Sequence, residues 1–265
     1  MFHVFHQTIP TPARSAIHIG VFTLHFYALT ILLAILISLQ YARKRAGYFN
    51  IDDAVLIDLA AYLVPAGIIG GRLYHVITTP ERYFGSSGNF IDIFKIWEGG
   101  MGIWGAIALA SFVGWLKLRR SNISFAGVAD LLAPALLVGQ GIGRWGNWFN
   151  GELFGSPTKL PWGLSVPYQL RPDGYLQFTT FHPVFLYESL WCFLGAYVIS
   201  KIQLQVLGSR FLAYISWYCA GRSGFELLRI DHSAYFLGMR VNFWVSLTLL
   251  ISSGVYLVTR ERTSR

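Results

Sequence analysis

Apolar residues run through the chain in long blocks separated by short polar ones. The blocks fall at about 20–41, 54–77, 101–118, 126–149, 183–206, 211–228 and 241–258, each near the roughly 20 residues a helix needs to cross the hydrocarbon core. The pattern predicts an all-α, polytopic integral membrane protein with about seven transmembrane helices. Lys and Arg gather in the short connections as Arg43, Lys44 and Arg45, then Lys117, Arg119 and Arg120, then Lys201 and Arg210, and in the tail as Arg260, Arg262 and Arg265. Seven crossings place all four groups on one side, and basic residues in short loops stay in the cytoplasm. The N-terminus and the longer loops 78–100, 150–182 and 229–240 are then expected outside, and the C-terminus in the cytoplasm. Loop 156–181 contains Pro157, Pro161, Pro167 and Pro172 and is long enough to form an outer arm. The first 20 residues lack the basic start, apolar core and small-residue cleavage site of a removable signal, so the first span is expected to be a permanent anchor.

Composition sharpens this picture. Hydrophobic residues make up 54% of the 265 and charged residues only 13%, against about 25% charged in soluble domains. Little is left for a separate soluble part, and a single integral domain is expected over 1–265. A net charge of +8 raises the question of nucleic acid, but the cations form short juxtamembrane groups rather than one face. Topology explains them, with anionic membrane lipid a secondary contact and no nucleic-acid partner. Cys192 and Cys219 lie inside apolar blocks without metal-ligand spacing and read as small buried hydrophobes. No cluster calls for a metal or another cofactor.

The informative chemistry is polar and sits at membrane depth. From Gly143 to Gly155 the chain reads GRWGNWFNGELFG, with Arg144, Asn147, Asn150 and Glu152 among glycines and large apolar residues. A charge at the centre of a bilayer costs about 2.5–3.5 kcal/mol or more, so such a cluster needs a ligand or a partner. In FLAYISWYCAGRSGFELLRI (211–230), Tyr218, Arg222, Glu226 and Arg229 are spaced to share one helix face. Arg222 and Glu226 can neutralise each other as a structural pair; alternatively, a guanidinium with spare donors beside Gly221 and Gly224 reaches an anion bidentately. In HPVFLYE (182–188), Pro183 suits a first helical turn, His182 stands just outside it, and Glu188 needs a cation such as Arg144. Tyr27 opens the first span, where an interfacial aromatic is common. Arg72, in GGRLYH, is a further intramembrane cation for which Asp58 and Asp130 are possible partners. The glycines of GGRLYH and of WEGGMGIWGA (97–106) allow close helix packing.

Taken together, GRWGNWFNGELFG, HPVFLYE, the Tyr27 context and the arginine and glutamate of YCAGRSGFE resemble the bacterial prolipoprotein diacylglyceryl transferases over nearly the whole chain. The resemblance, not the composition, implies a reaction: the diacylglyceryl group of phosphatidylglycerol passes to the lipobox cysteine thiol of a preprolipoprotein, forming a thioether and releasing glycerol 1-phosphate. It implies an enzyme of the bacterial inner membrane, with its site toward the outer leaflet. Arg144 and Arg222 match the family's two key arginines, and Tyr27, Asn147, Glu152, Gly155, Tyr218 and Glu226 match its other functional positions. One departure stands out: many members have histidine in a GG-x-x-x-HGG pattern, where this chain has Trp104.

The implied reaction makes physical demands on these residues. A free thiol has a pKa of about 8.5, and nearby cations favour the thiolate. Arg144 and Arg222 are suited to that task and to binding the phosphodiester while charge grows on its departing oxygen, and Tyr218, Asn147, Asn150 and Gly155 are expected around the bound phosphatidylglycerol. Glu152 and Glu226 are expected to orient the guanidiniums, or one of them to accept the thiol proton. His25, His75 and His182 are alternative bases, with His182 first because it adjoins a matched motif. A lipid or anion transporter is the competing reading, and it requires a polar path to the cytoplasmic side, whereas the polar residues cluster toward the outer half. A structural scaffold is the third, and it leaves Arg144, Arg222 and Glu226 with pairing as their only purpose.

Overall fold

The computed structural model describes residues 8–20, 22–85 and 88–264; residues 1–7 of the stretch read as lacking a removable signal lie outside them. Seven α-helices account for the seven apolar blocks: α1 Phe26–Arg43, α2 Asp53–Thr78, α3 Ile103–Arg120, α4 Phe125–Asn150, α5 Val184–Lys201, α6 Ser209–Glu226 and α7 Val241–Thr263. Only the first start departs by more than a few residues. Residues 22–25, taken by their hydropathy into the first span, instead form a strand (β3, Phe22–His25) paired antiparallel with β2, Ala16–Ile19. Helices α1, α2, α4 and α7 are long and apolar enough to cross a membrane. The other three are 18 residues each and carry more polar chemistry, with Lys117, Arg119 and Arg120 in α3, Glu188 and Lys201 in α5, and Arg210, Arg222 and Glu226 in α6.

The chain divides into two compact units, one of residues 42–128 and the other of residues 1–41 with 129–265. In the first, α2 and α3 meet at Gly70 and Gly105, where an added Cβ on either would run into the other's backbone carbonyl. Lys117 pairs with Asp58 at 2.7 Å. Buried Arg72 is served by neither of the carboxylates suggested for it. Its guanidinium donates to the carbonyls of Asp92, of Ile93 at 2.8 Å, of Gly99 at 2.5 Å and of Gly100 at 3.0 Å. Backbone carbonyls offer partial negative charge and fixed geometry, so Arg72 fastens the connection before α3 onto α2.

The larger unit is built around α4. Its Ala133 and Leu137 are fully buried and form one core cluster with Cys192, Ala196 and Ile199 of α5 and Ala213 of α6. Both cysteines are free and buried, as read from their apolar settings. Trp191 and Trp217 stack at 4.5 Å, and each indole N–H donates to the other's backbone carbonyl at 2.9 and 3.0 Å, which locks α5 to α6. Asp130 accepts from the backbone N–H of Gly208 at 2.6 Å and of Phe211 at 2.8 Å, so α4 supplies the anion for the start of α6. Asp130→Ala leaves those buried donors unserved and is expected to lower stability by about 1–3 kcal/mol, readable as a lower thermal midpoint in detergent. Loop 156–181 contributes two short strands, β4 (Leu164–Ser165) and β5 (Thr180–Phe181), in a three-stranded sheet ordered β1-β4-β5 with β1 at Ile9–Pro10. Leu164, Val166 and Phe181 pack there with Phe154 and Phe185, seating the loop over the ends of α4 and α5.

Candidate active site

Three helices of the larger unit bring charge to one point. Glu188 lies in the second turn of α5 and is 5% exposed, and the arginines of α4 and α6 close on it from two sides. Arg144 Nε is 2.9 Å from Glu188 Oε2, and Arg222 Nη1 donates to Glu188 Oε1 at 2.7 Å. The carboxylate thus bridges the two guanidiniums, one per oxygen. Arg144 Nη2 also donates to the Tyr218 hydroxyl at 3.2 Å, one helical turn before Arg222. Arg144 Nη1 and Arg222 Nε make no hydrogen bond or ion pair among the described residues, so each guanidinium keeps a donor to spare.

The pairing continues outward. Arg222 Nη2 contacts Glu226 Oε1, one of the two arrangements their spacing of four allowed. Glu226 Oε2 is 2.5 Å from Arg240 Nε, and Arg229 Nη1 stands 3.8 Å from Glu226 Oε1. Arg229 lies beyond the end of α6 rather than on its face. Asp231 closes the network, accepting from Arg229 Nε at 2.7 Å and from Arg240 Nη2 at 2.9 Å. Burial pushes the Asp231 carboxyl up, but its hydrogen bonds from these two arginines outweigh that and hold it below the usual carboxylate range. Four guanidiniums (Arg144, Arg222, Arg229, Arg240) against three carboxylates (Glu188, Glu226, Asp231) leave one positive charge. A buried network with one surplus cation is suited to a single anionic group.

A cavity of about 10 Å³ opens among Arg144, Glu188, Trp191, Cys192, Tyr218, Arg222 and Phe225. It has room for about one water molecule.

The remaining matched residues form a second group at the end of α4. Asn147 and Asn150 both donate to Glu152 Oε1, at 3.0 and 3.1 Å, and Glu152 is exposed and has no arginine partner among the described residues. The ring of Tyr27 lies against Gly146, where a Cβ would clash with it, which brings α1 to the same turn of α4. Gly155 plays a backbone role. Its N–H donates to the His182 carbonyl at 2.9 Å, it bridges to Arg229, and the side chains of His182 and Val184 crowd its Cα. His182 does not line the cavity: its Nδ1 is 3.2 Å from the Tyr187 hydroxyl, which accepts from Trp162 at 3.1 Å. Burial lowers the His182 pKa, favouring neutral imidazole. Trp104 belongs to the unit of residues 42–128, on a half-exposed face of α3.

Sequence reasoning missed Arg240 and Asp231, which follow the last matched motif across a loop and carry no spacing signal. It also missed Cys192, Trp191 and Phe225 as cavity walls, since apolar residues on apolar helices look alike.

Residues 14–259 match the family model described as prolipoprotein diacylglyceryl transferase. Among curated relatives, the phosphatidylglycerol–prolipoprotein diacylglyceryl transferase of Cutibacterium acnes is 44% identical over 258 residues, covering 96% of this chain and 87% of the relative. The protein of the same name from Bifidobacterium adolescentis is 42% identical over 275 residues, covering 97% and 81%. Phosphatidylglycerol–prolipoprotein diacylglyceryl transferase 2 of Streptomyces coelicolor is 42% identical over 253 residues, covering 94% and 80%.

Proposed function

Because the chain belongs to the prolipoprotein diacylglyceryl transferase family, we propose that it transfers the diacylglyceryl group of phosphatidylglycerol to the lipobox cysteine of a preprolipoprotein. The observation that carries this reading is the bridge itself: two partly buried guanidiniums meet at buried Glu188, each with a spare donor, in a network with one positive charge in excess. A phosphodiester carries one negative charge and presents oxygens in the geometry an arginine fork prefers. The transport reading draws no support from the named relatives, which are transferases.

In this reading all seven helices span the bacterial inner membrane, the N-terminus is outside and the C-terminus cytoplasmic. The Arg144–Arg222 site opens toward the outer leaflet, beneath loop 156–181 as an outer arm. The lipid headgroup displaces the water-sized volume at the cavity, and its phosphate takes the free donors of Arg144 and Arg222. The substrate thiol loses its proton, its sulfur attacks the glyceryl carbon bearing the phosphate ester, and the carbon–oxygen bond breaks with its electron pair passing to the phosphate. Glycerol 1-phosphate leaves, and the sulfur keeps a thioether to diacylglycerol. The two guanidiniums stabilise the negative charge on the departing oxygen, as donors of an oxyanion hole do.

Among the matched carboxylates, Glu152 is assigned the thiol proton because it has no arginine partner among the described residues. Glu226 contacts arginines through both oxygens, whereas among the described residues the side-chain partners of Glu152 are two neutral amides. Their hydrogen bonds orient it, and Tyr27 stands at the same turn. Trp104 cannot serve as a base, so the reading asks nothing of that position. His182, turned toward Tyr187, is assigned an anchoring role at the start of α5.

The test is a transfer assay with the purified full-length protein, phosphatidylglycerol and a peptide containing a lipobox cysteine, followed by intact-mass measurement. A gain of one diacylglyceryl group in thioether linkage, with release of glycerol 1-phosphate, is the expected result. A folded protein that leaves the peptide mass unchanged would overturn the reading.

A further inference from the structure

One buried cation of the network has no part in that mechanism. Arg240, 4% exposed, stands immediately before α7. Its Nε is 2.5 Å from Glu226 Oε2, Nη2 is 2.9 Å from Asp231 Oδ2, and Nη1 donates to the Asp231 carbonyl at 2.8 Å. Glu226 therefore faces two cations, one on each oxygen, with Arg222 on Oε1 and Arg240 on Oε2. Arg229 is more distant, at 3.8 Å. A buried carboxylate with a single arginine partner concentrates its whole charge on that partner, and a ligand must then compete with it. Divided between two arginines, the same carboxylate aims each one while holding it less firmly.

We propose that Arg240 is a positioning residue for lipid-donor binding: by taking one oxygen of Glu226 it leaves Arg222 free to engage a phosphodiester and fixes the direction in which Arg222 points. The proposal rests on the diacylglyceryl-transfer reading and adds to it a residue that never touches substrate. A simpler role competes with it. Arg240 ends the hairpin of β6 (Tyr235–Phe236) and β7 (Met239–Arg240), Asp231 precedes it, and their contact alone can staple that loop. The two roles separate by mutation, because Asp231→Asn weakens the staple and leaves the Glu226 contact in place.

The experiment measures transfer by the full-length protein at varied phosphatidylglycerol and varied lipobox peptide. Arg240→Gln is expected to raise the KM for phosphatidylglycerol about tenfold, the size of a typical coupling between linked sites, with the peptide KM nearly unchanged. Arg240→Lys keeps the charge but cannot serve Glu226 and Asp231 together, so an intermediate rise is expected, and Asp231→Asn should leave the lipid KM near that of the unaltered protein. In a Glu226→Gln background, Arg240→Gln should add nothing further, since the charge being shared is gone. A lipid KM unmoved by Arg240→Gln, or raised as much by Asp231→Asn, would overturn the proposal. If Arg240→Gln yields no folded protein, Arg240→Lys decides alone, and a lipid KM equal to that of the unaltered protein would overturn it. Absence of transfer by the unaltered protein would instead remove the transfer reading underneath.

Discussion

Arg222→Ala is expected to lower diacylglyceryl transfer by about a hundred- to a thousandfold, the loss typical of removing one preorganised donor to a developing oxyanion, in a protein that still folds. Two features of the geometry make the effect large. Arg222 is half of the pair that meets at Glu188, and its Nε is one of the two donors left over for a ligand. Folding should survive because the substitution leaves Glu188 with Arg144, and Glu226 with Arg240, at 2.9 and 2.5 Å. The check is the rate of peptide mass gain alongside thermal unfolding of the same preparation. Arg144→Ala should behave alike, with the added loss of the hydrogen bond to Tyr218.

Glu188→Ala is expected to act on stability first. Removing Glu188 leaves Arg144 without a carboxylate and Arg222 with Glu226 alone, and stripping a buried charge of its partner costs about 3–5 kcal/mol. Here two guanidiniums lose their shared carboxylate at once, on α4 and α6, and mutual repulsion drives those helices apart. A marginally stable domain holds only about 5–15 kcal/mol in total, so the variant should show a much lower thermal midpoint and poor recovery in detergent. Glu188→Gln keeps the shape and one acceptor and should be milder. If the thermal midpoint of Glu188→Ala equals that of the unaltered protein, the bridge contributes nothing to the helix packing described above.

Much of the architecture was legible because membrane helices announce themselves by hydropathy, and six of the seven helices begin within a few residues of their apolar blocks. The first does not, since Phe22–His25 is as apolar as a helix start but finds a strand partner in Ala16–Ile19, which only long-range pairing reveals. At the site, two inferences followed from electrostatics alone. Glu188 in an apolar helix required a cation, and Arg144 provides it at 2.9 Å; Arg222 and Glu226, four apart on one helix, were able to pair, and they do. What stayed hidden has a common cause. Arg72 and Asp130 are satisfied by backbone groups, five carbonyls for one and two amides for the other, and the backbone carries no residue identity to read. Arg240 reaches Glu226 across a loop, where no helical spacing points.

Reversing a charge pair tests the central claim most directly. In the double variant Arg222→Glu with Glu226→Arg, the count of charges is unchanged, and a pair that met only each other would tolerate the exchange, whereas here it also sets like charges against Glu188 and Arg240, so transfer is read only from protein that remains folded. The phosphate site should not tolerate the exchange, because a carboxylate would then face Arg144, Glu188 and the lipid headgroup where a guanidinium is required. Intact-mass measurement of a lipobox peptide incubated with this variant and phosphatidylglycerol is predicted to show no diacylglyceryl gain, even from protein that elutes as a single folded species. Transfer at the rate of the unaltered protein would contradict the account.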